Sequence, residues 1–175
     1  MDARDADSER ALAISYLLAV LKVDYKENRN KLVEALSRCH ALRSPNLNNC
    51  AFQNSSYLMG LARRGDPSLI EDLFAVHYLA DGAFSEELGC FYSYESRAFP
   101  TQFIEALKHF SQEDQLAFCE AAAIEDGGGM ADEDYSATVL RLQHVTLNSD
   151  SSLRNSAKQC LIGLRRGRAK AVQNR

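Results

Sequence analysis

The chain contains no apolar run long enough to cross a membrane, which excludes an integral helical membrane protein. Its opening, MDARDADSER, lacks the basic and apolar segments of a signal peptide, so the expected compartment is the cytoplasm. Removal of a leader ahead of Met1 would make it the periplasm instead. No two of the five cysteines form a CxxC pair, and the four histidines show neither HExxH nor HxxxH spacing, so no metal site is expected. Gly127-Gly128-Gly129 is not followed by GK[ST] and no strand precedes it, which excludes a phosphate loop and leaves a hinge or connector. No cofactor is expected. No segment alternates apolar and polar residues as a strand would, and no tract is of low complexity.

What remains is an ordinary globular composition: 175 residues, 46% hydrophobic, 25% charged, net charge -4. That length suits one domain, with residues 1–7 and 167–175 expected to fray. A chain near this size can form a core without metal or disulfide. Cys90, Cys119 and Cys160 fall on apolar helical faces, where a thiol behaves as a small buried hydrophobe. Cys39 and Cys50 flank the loop HALRSPNLNN, and only an oxidising compartment would join them.

The pattern predicts about nine helices and no strands. Ser8 caps the first, to about Val23, and a second runs from about Asn28 to Leu42. A third covers about Phe52 to Arg64 and ends at Gly65. The clearest punctuation follows. Asp66-Pro67 opens a helix with Leu69, Ile70, Leu73, Val76, Tyr78 and Leu79 inward. Asp81-Gly82 starts another, with Phe84, Leu88, Phe91, Tyr92 and Tyr94 on its apolar side. Phe99-Pro100 opens a third, carrying Phe103, Ile104, Leu107 and Phe110. Turns this short force neighbouring helices to pack antiparallel.

Ser111 caps the next helix, with Asp114 three residues on and Leu116, Cys119, Ala123 and Ile124 as its stripe. After the glycines, Asp132 to Leu147 turns Tyr135, Val139, Leu142 and Val145 inward. Asp150 or Ser151 caps the last helix, with Leu153, Ala157, Cys160, Leu161 and Leu164 inward.

One tetrad recurs. Val33-Glu34-Ala35-Leu36, Ile70-Glu71-Asp72-Leu73, Ile104-Glu105-Ala106-Leu107 and, more weakly, Val139-Leu140-Arg141-Leu142 each fall in the second helix of a hairpin. A period in this range marks stacked helical hairpins. The stretches Leu79-Ala80-Asp81-Gly82-Ala83-Phe84-Ser85-Glu86-Glu87-Leu88 and Phe99-Pro100-Thr101-Gln102-Phe103-Ile104-Glu105-Ala106-Leu107 resemble a pattern in bacterial HEAT-like helical proteins. The resemblance covers about thirty central residues. It implies a short HEAT-like α-solenoid of antiparallel hairpins and brings no catalytic residues with it. The tetratricopeptide repeat has a similar period, but its Trp and Leu-Gly signature is missing here.

Charge is segregated. From Ser111 to Tyr135 there are eight acids and no Lys or Arg; from Ser151 to Arg175 there are seven bases and no acid. Such segments can neutralise each other across adjacent helices, or they can present a field to a partner. The second alternative predicts a protein partner with a basic surface meeting Glu120, Glu125, Asp126, Asp132, Glu133 and Asp134, with Asp132 and Glu133 the acids expected to be freest. Glu113 and Asp114 are explained by helix capping. The expected function is therefore a non-enzymatic interaction module. In outline it is similar to immunity proteins that inhibit interbacterial toxins, an analogy at the level of fold. Two alternatives compete with it. One is an enzyme whose site gathers around His77 and Asp81, four residues apart on one helix; the other is a nucleic-acid-binding module using the basic C-terminal helix, weakened by its lack of interleaved aromatics.

Overall fold

The computed structural model of the chain describes residues 59–60, 62–63, 69–75, 77, 80 and 82–173. Every regular element among them is a helix: α1 Ile70–Ala75, α2 Gly82–Ala98, α3 Pro100–Leu107, α4 Gln112–Ile124, α5 Asp132–Asn148 and α6 Ser151–Gln173. All-α architecture is thus established for these residues, in six helices. The expected helices before Met59, the first copy of the tetrad, and Cys39 and Cys50 lie outside them. The chain divides into two compact units, Met1–Asp81 and Gly82–Arg175.

In the first unit, Ile70, Leu73 and Phe74 of α1 are buried, as are Leu69, Met59 and Ala62. The helix expected to continue to Asp81 is described only as far as Ala75; beyond it the Ala80 amide donates to the His77 carbonyl at 3.0 Å, closing a turn.

In the second unit the sequence punctuation operates as its chemistry requires. Proline has no N–H to donate into a continuing helix, so α2 stops and α3 begins one residue apart, around Phe99. The Phe99 amide still reaches Glu95 O at 2.8 Å and its carbonyl accepts from Phe103 N at 2.9 Å. Ser111 caps α4: its Oγ accepts from Asp114 N at 3.2 Å and donates to Asp114 Oδ2 at 2.7 Å. Asp150 caps α6, its Oδ1 accepting from Ser152 N at 2.9 Å and Leu153 N at 3.0 Å.

The core is centred on α4. Phe118 meets Tyr92 of α2 with ring centroids 5.9 Å apart and Phe110 edge-on at 5.3 Å. α4 packs mainly against α6 and secondly against α2, while α5 packs on α6. Because α4 is covered on two sides, its buried residues do not form the single stripe expected: Gln115, Phe118, Cys119, Ala122 and Ala123 are buried, whereas Leu116 and Ile124 are half-buried.

The α4–α6 seam is unusually close, and small residues allow it. A Cβ on Gly163 would lie 2.5 Å from the Leu116 carbonyl oxygen, and one on Gly167 would collide with the carbonyl of Glu120. Gly163 and Gly167 are four apart, so they stand one above the other on the same face of α6. Cys119 and Cys160 are joined across this seam by a disulfide, Cα–Cα 5.1 Å. This corrects the expectation of buried thiols at both positions: they are buried, but as a bridge. Cys90, expected in the core, is only half-buried.

The C-terminal segment also differs from expectation. Residues 167–173 are helical, with Gly167 and Ala171 buried, because Ala171 packs where Gly129 comes close. Among the described residues no helix is long and apolar enough to cross a membrane.

Candidate functional site

The acidic stretch spans the end of α4, the connection to α5, and the first turn of α5. The connection is a hydrogen-bonded cap rather than a hinge. Gly127 N and Gly129 N each donate to Ile124 O at 3.0 Å, and Met130 N donates to Ala123 O at 3.0 Å, so the last two carbonyls of α4 are satisfied. Glu125 takes φ 51° and ψ -118°, the first central position of a type II′ turn over Ile124–Gly127, where glycine is the normal occupant. Its carboxylate accepts a 2.5 Å hydrogen bond from Ser93 Oγ on α2, which holds the strained residue from outside the turn. Gly127 and Gly129 take φ 92° and 80°, conformations that side chains disfavour.

Arg168 of α6 clasps this connection. Its Nη1 donates to Met130 O at 2.5 Å, its Nη2 pairs with Asp132, and its guanidinium carbon sits 5.5 Å from the centre of the Tyr135 ring. Asp134 pairs with Arg97 of α2, and Glu120 pairs with Lys170 of α6. Asp126 Oδ1 accepts from Gly128 N at 3.2 Å.

Five of the six acids expected to await a partner are therefore engaged within the fold: Glu120, Glu125, Asp126, Asp132 and Asp134. Asp132, expected to be freest, is corrected most plainly; it lies beside Arg168 because the α5 N-terminus folds back over α6. Glu133 alone is exposed and has no such contact among the described residues. Of these five, Glu120, Asp132 and Asp134 pair with bases, so the segregation of charge in the sequence reflects in part neutralisation between helices that pack together.

The bases divide in a complementary way. Arg168 and Lys170 flank the α4–α6 seam and pair with acids. Arg154, Lys158, Arg165 and Arg166 are exposed, and among the described residues none of them pairs with a carboxylate. Arg154 Nη2 donates to the Ser149 carbonyl at 3.1 Å, a neutral acceptor.

Two large apolar side chains are also exposed on α5, Leu140 at 66% and Leu147 at 77%. Seven residues apart, they share one side of the helix with Glu133. The opposite side buries Thr138, Leu142 and Val145, so the helix has one apolar stripe in the core and a second, sparser one in solvent. The inward period of α5 is readable in the sequence; Leu140 and Leu147 are not set apart there, because two leucines a heptad apart among polar neighbours form no periodic pattern of their own.

His77 is half-buried, and Asp81 lies outside the described residues. Ser93 donates a short hydrogen bond to the Glu125 carboxylate, and its own side chain is buried. Glu95 is fully buried on the same helix. Among the described residues no group of three or more His, Cys, Asp and Glu could hold a metal ion.

Compared with known protein families, curated proteins and solved structures, the chain finds no significant match in any of the three.

Proposed function

We propose that the chain is a non-enzymatic protein-interaction module. The observation that carries this reading is the pair Leu140 and Leu147, held in solvent one heptad apart on a helix whose other side is already buried. Removing such side chains from water on docking is favourable by roughly 25 cal/mol per Å² of apolar surface, and a partner's helix or sheet could cover both at once. The recurring tetrad supports a HEAT-like stack of hairpins as the scaffold. An immunity protein that blocks a toxin is one molecule of this kind, and the small, all-helical outline supports that comparison by analogy alone. The Cys119–Cys160 bridge supports the oxidising compartment, such as the periplasm, over the cytoplasm.

The test is a quantitative affinity enrichment from the native host with the full chain, wild type against Leu140→Lys with Leu147→Lys. Both positions are exposed, so the double variant keeps its helical circular dichroism and melting temperature. A specific protein retained by the wild type and lost by the variant supports the reading. Identical enrichment profiles would remove the α5 face from it.

A further inference from the structure

The outward side of α6 carries a second, chemically distinct surface. At 100° per residue, Arg154, Lys158, Ile162, Arg165, Arg166, Ala169 and Val172 fall within an arc of about 120°. The centre of that arc lies opposite Gly163, Gly167 and Cys160, which face the α4 seam. Arg168 and Lys170, on the borders, reach back to Asp132 and Glu120. Among the described residues the position of each base on the helix thus decides whether it is neutralised: those beside the seam pair with carboxylates, and those on the outward arc do not.

This arrangement has a rigid backing. α6 is held to α4 by a buried disulfide and by glycines that allow close backbone approach, so the arc is presented without the cost of ordering a helix. From Arg154 to Arg166 it runs about 18 Å, at 1.5 Å per residue. Ile162, 40% exposed, stands in the middle of the four bases, and Val172, 58% exposed, lies beyond them.

We infer that this arc binds an acidic protein segment that carries an apolar side chain between its carboxylates. This rests on the reading of the chain as an interaction module and supplies the chemistry of a partner. Charge complementarity requires an anion: four guanidinium and ammonium groups lie along one line with no acid from Ser151 onward to offset them. The apolar centre selects among anions. A phosphate backbone offers nothing to Ile162, whereas an acidic helix or extended segment can lay a leucine on it while its carboxylates reach Arg154 and Lys158 on one side and Arg165 and Arg166 on the other. Arginine favours such carboxylates through paired N–H donors. The partner it describes is acidic, opposite in charge to the basic partner expected from the sequence, three of whose acids, Glu120, Asp132 and Asp134, pair with bases of the fold.

The experiment is a nuclear magnetic resonance titration of the full, disulfide-bonded chain with three probes. These are a short peptide with paired glutamates either side of a single leucine, the same peptide with serine for leucine, and a DNA duplex of matched charge. The leucine peptide is expected to shift the amides of residues 154–172 selectively and to bind more tightly than the serine peptide. Arg165→Glu with Arg166→Glu is expected to weaken it by about tenfold or more. Ile162→Ser is expected to remove the preference for leucine while leaving the salt dependence unchanged. These exposed substitutions leave the fold intact, which the unaltered spectrum of α2 and α4 would verify.

Tighter binding of the duplex, with no effect of Ile162→Ser, would overturn the inference in favour of a nucleic acid. Shifts absent from α6 with every probe would overturn it altogether. Neither result touches the α5 face, whose own failure is read from the enrichment with Leu140→Lys and Leu147→Lys.

Discussion

Cys119 and Cys160 tie α4 to α6 with their Cα atoms 5.1 Å apart, and both are closed off from solvent. Around this bridge the backbones approach so closely that Gly163 and Gly167 have no room for a side chain. The pair therefore fastens a seam that shape already favours, and α6 is the rigid element on which the outward bases are displayed.

The bridge closes a loop with a sequence separation of 41 residues. On the chain-entropy model it contributes about 4 kcal/mol by restricting the unfolded state. Cys119→Ser with Cys160→Ser should lower stability by a few kcal/mol in a denaturant titration without reductant. Intact mass should show the oxidised pair in protein isolated from an oxidising compartment. Full labelling of both thiols in that protein, before any reductant is added, would contradict the bridge.

Gly167→Ala tests the seam independently of the sulfurs. The new Cβ would meet the Glu120 carbonyl and the Ala123 side chain, so the helices must separate. Overpacking of this kind costs roughly 1–3 kcal/mol. A melting temperature equal to that of wild type would show that α4 and α6 lie further apart than described.

Glu125 offers a test with an ordering rather than a magnitude. Alanine there keeps a backbone that only glycine adopts freely and loses the bond from Ser93, for a cost of about 1 kcal/mol or more. Glycine loses the same bond but relieves the turn. Thermal melts should therefore place Glu125→Gly above Glu125→Ala. The reverse order would mean that Glu125 is not in the left-handed region.

Leu107 and Leu140 separate the inner and outer faces. Leu107 is fully buried on α3, and its replacement by alanine should cost about 2–5 kcal/mol through lost transfer energy and a cavity. Leu140→Ala should stay within about 0.5 kcal/mol of wild type. Chemical denaturation of both variants measures this, and similar losses at the two positions would contradict the facing of α5.

The sequence makes the C-terminal helices legible where local chemistry alone determines them. Pro100, Ser111 and Asp150 mark boundaries that any packing must respect, and Phe103, Ile104 and Leu107 keep a clean helical period. It misleads where two neighbours compete for one helix. α4 serves both α2 and α6, so Phe118 and Gln115 are buried outside the expected stripe. The bridge was not legible because each cysteine also makes sense as a small core residue. Only the approach of α4 to α6, itself dependent on Gly163 and Gly167, brings the two sulfurs together. The charge pattern was visible but not its meaning, since the same acids can face solvent or a neighbouring Arg168.

The central claim is that the chain acts by presenting fixed helical faces to another protein. Site-specific photo-crosslinking in the native host tests it most directly, with the reactive side chain placed in turn at Leu140, Leu147 and Lys158, and at the exposed control positions Thr101 and Gln112. The account predicts a discrete protein adduct from α5 or α6 positions and none from the controls. Indistinguishable, diffuse adducts at all five positions, or none at any, would contradict it.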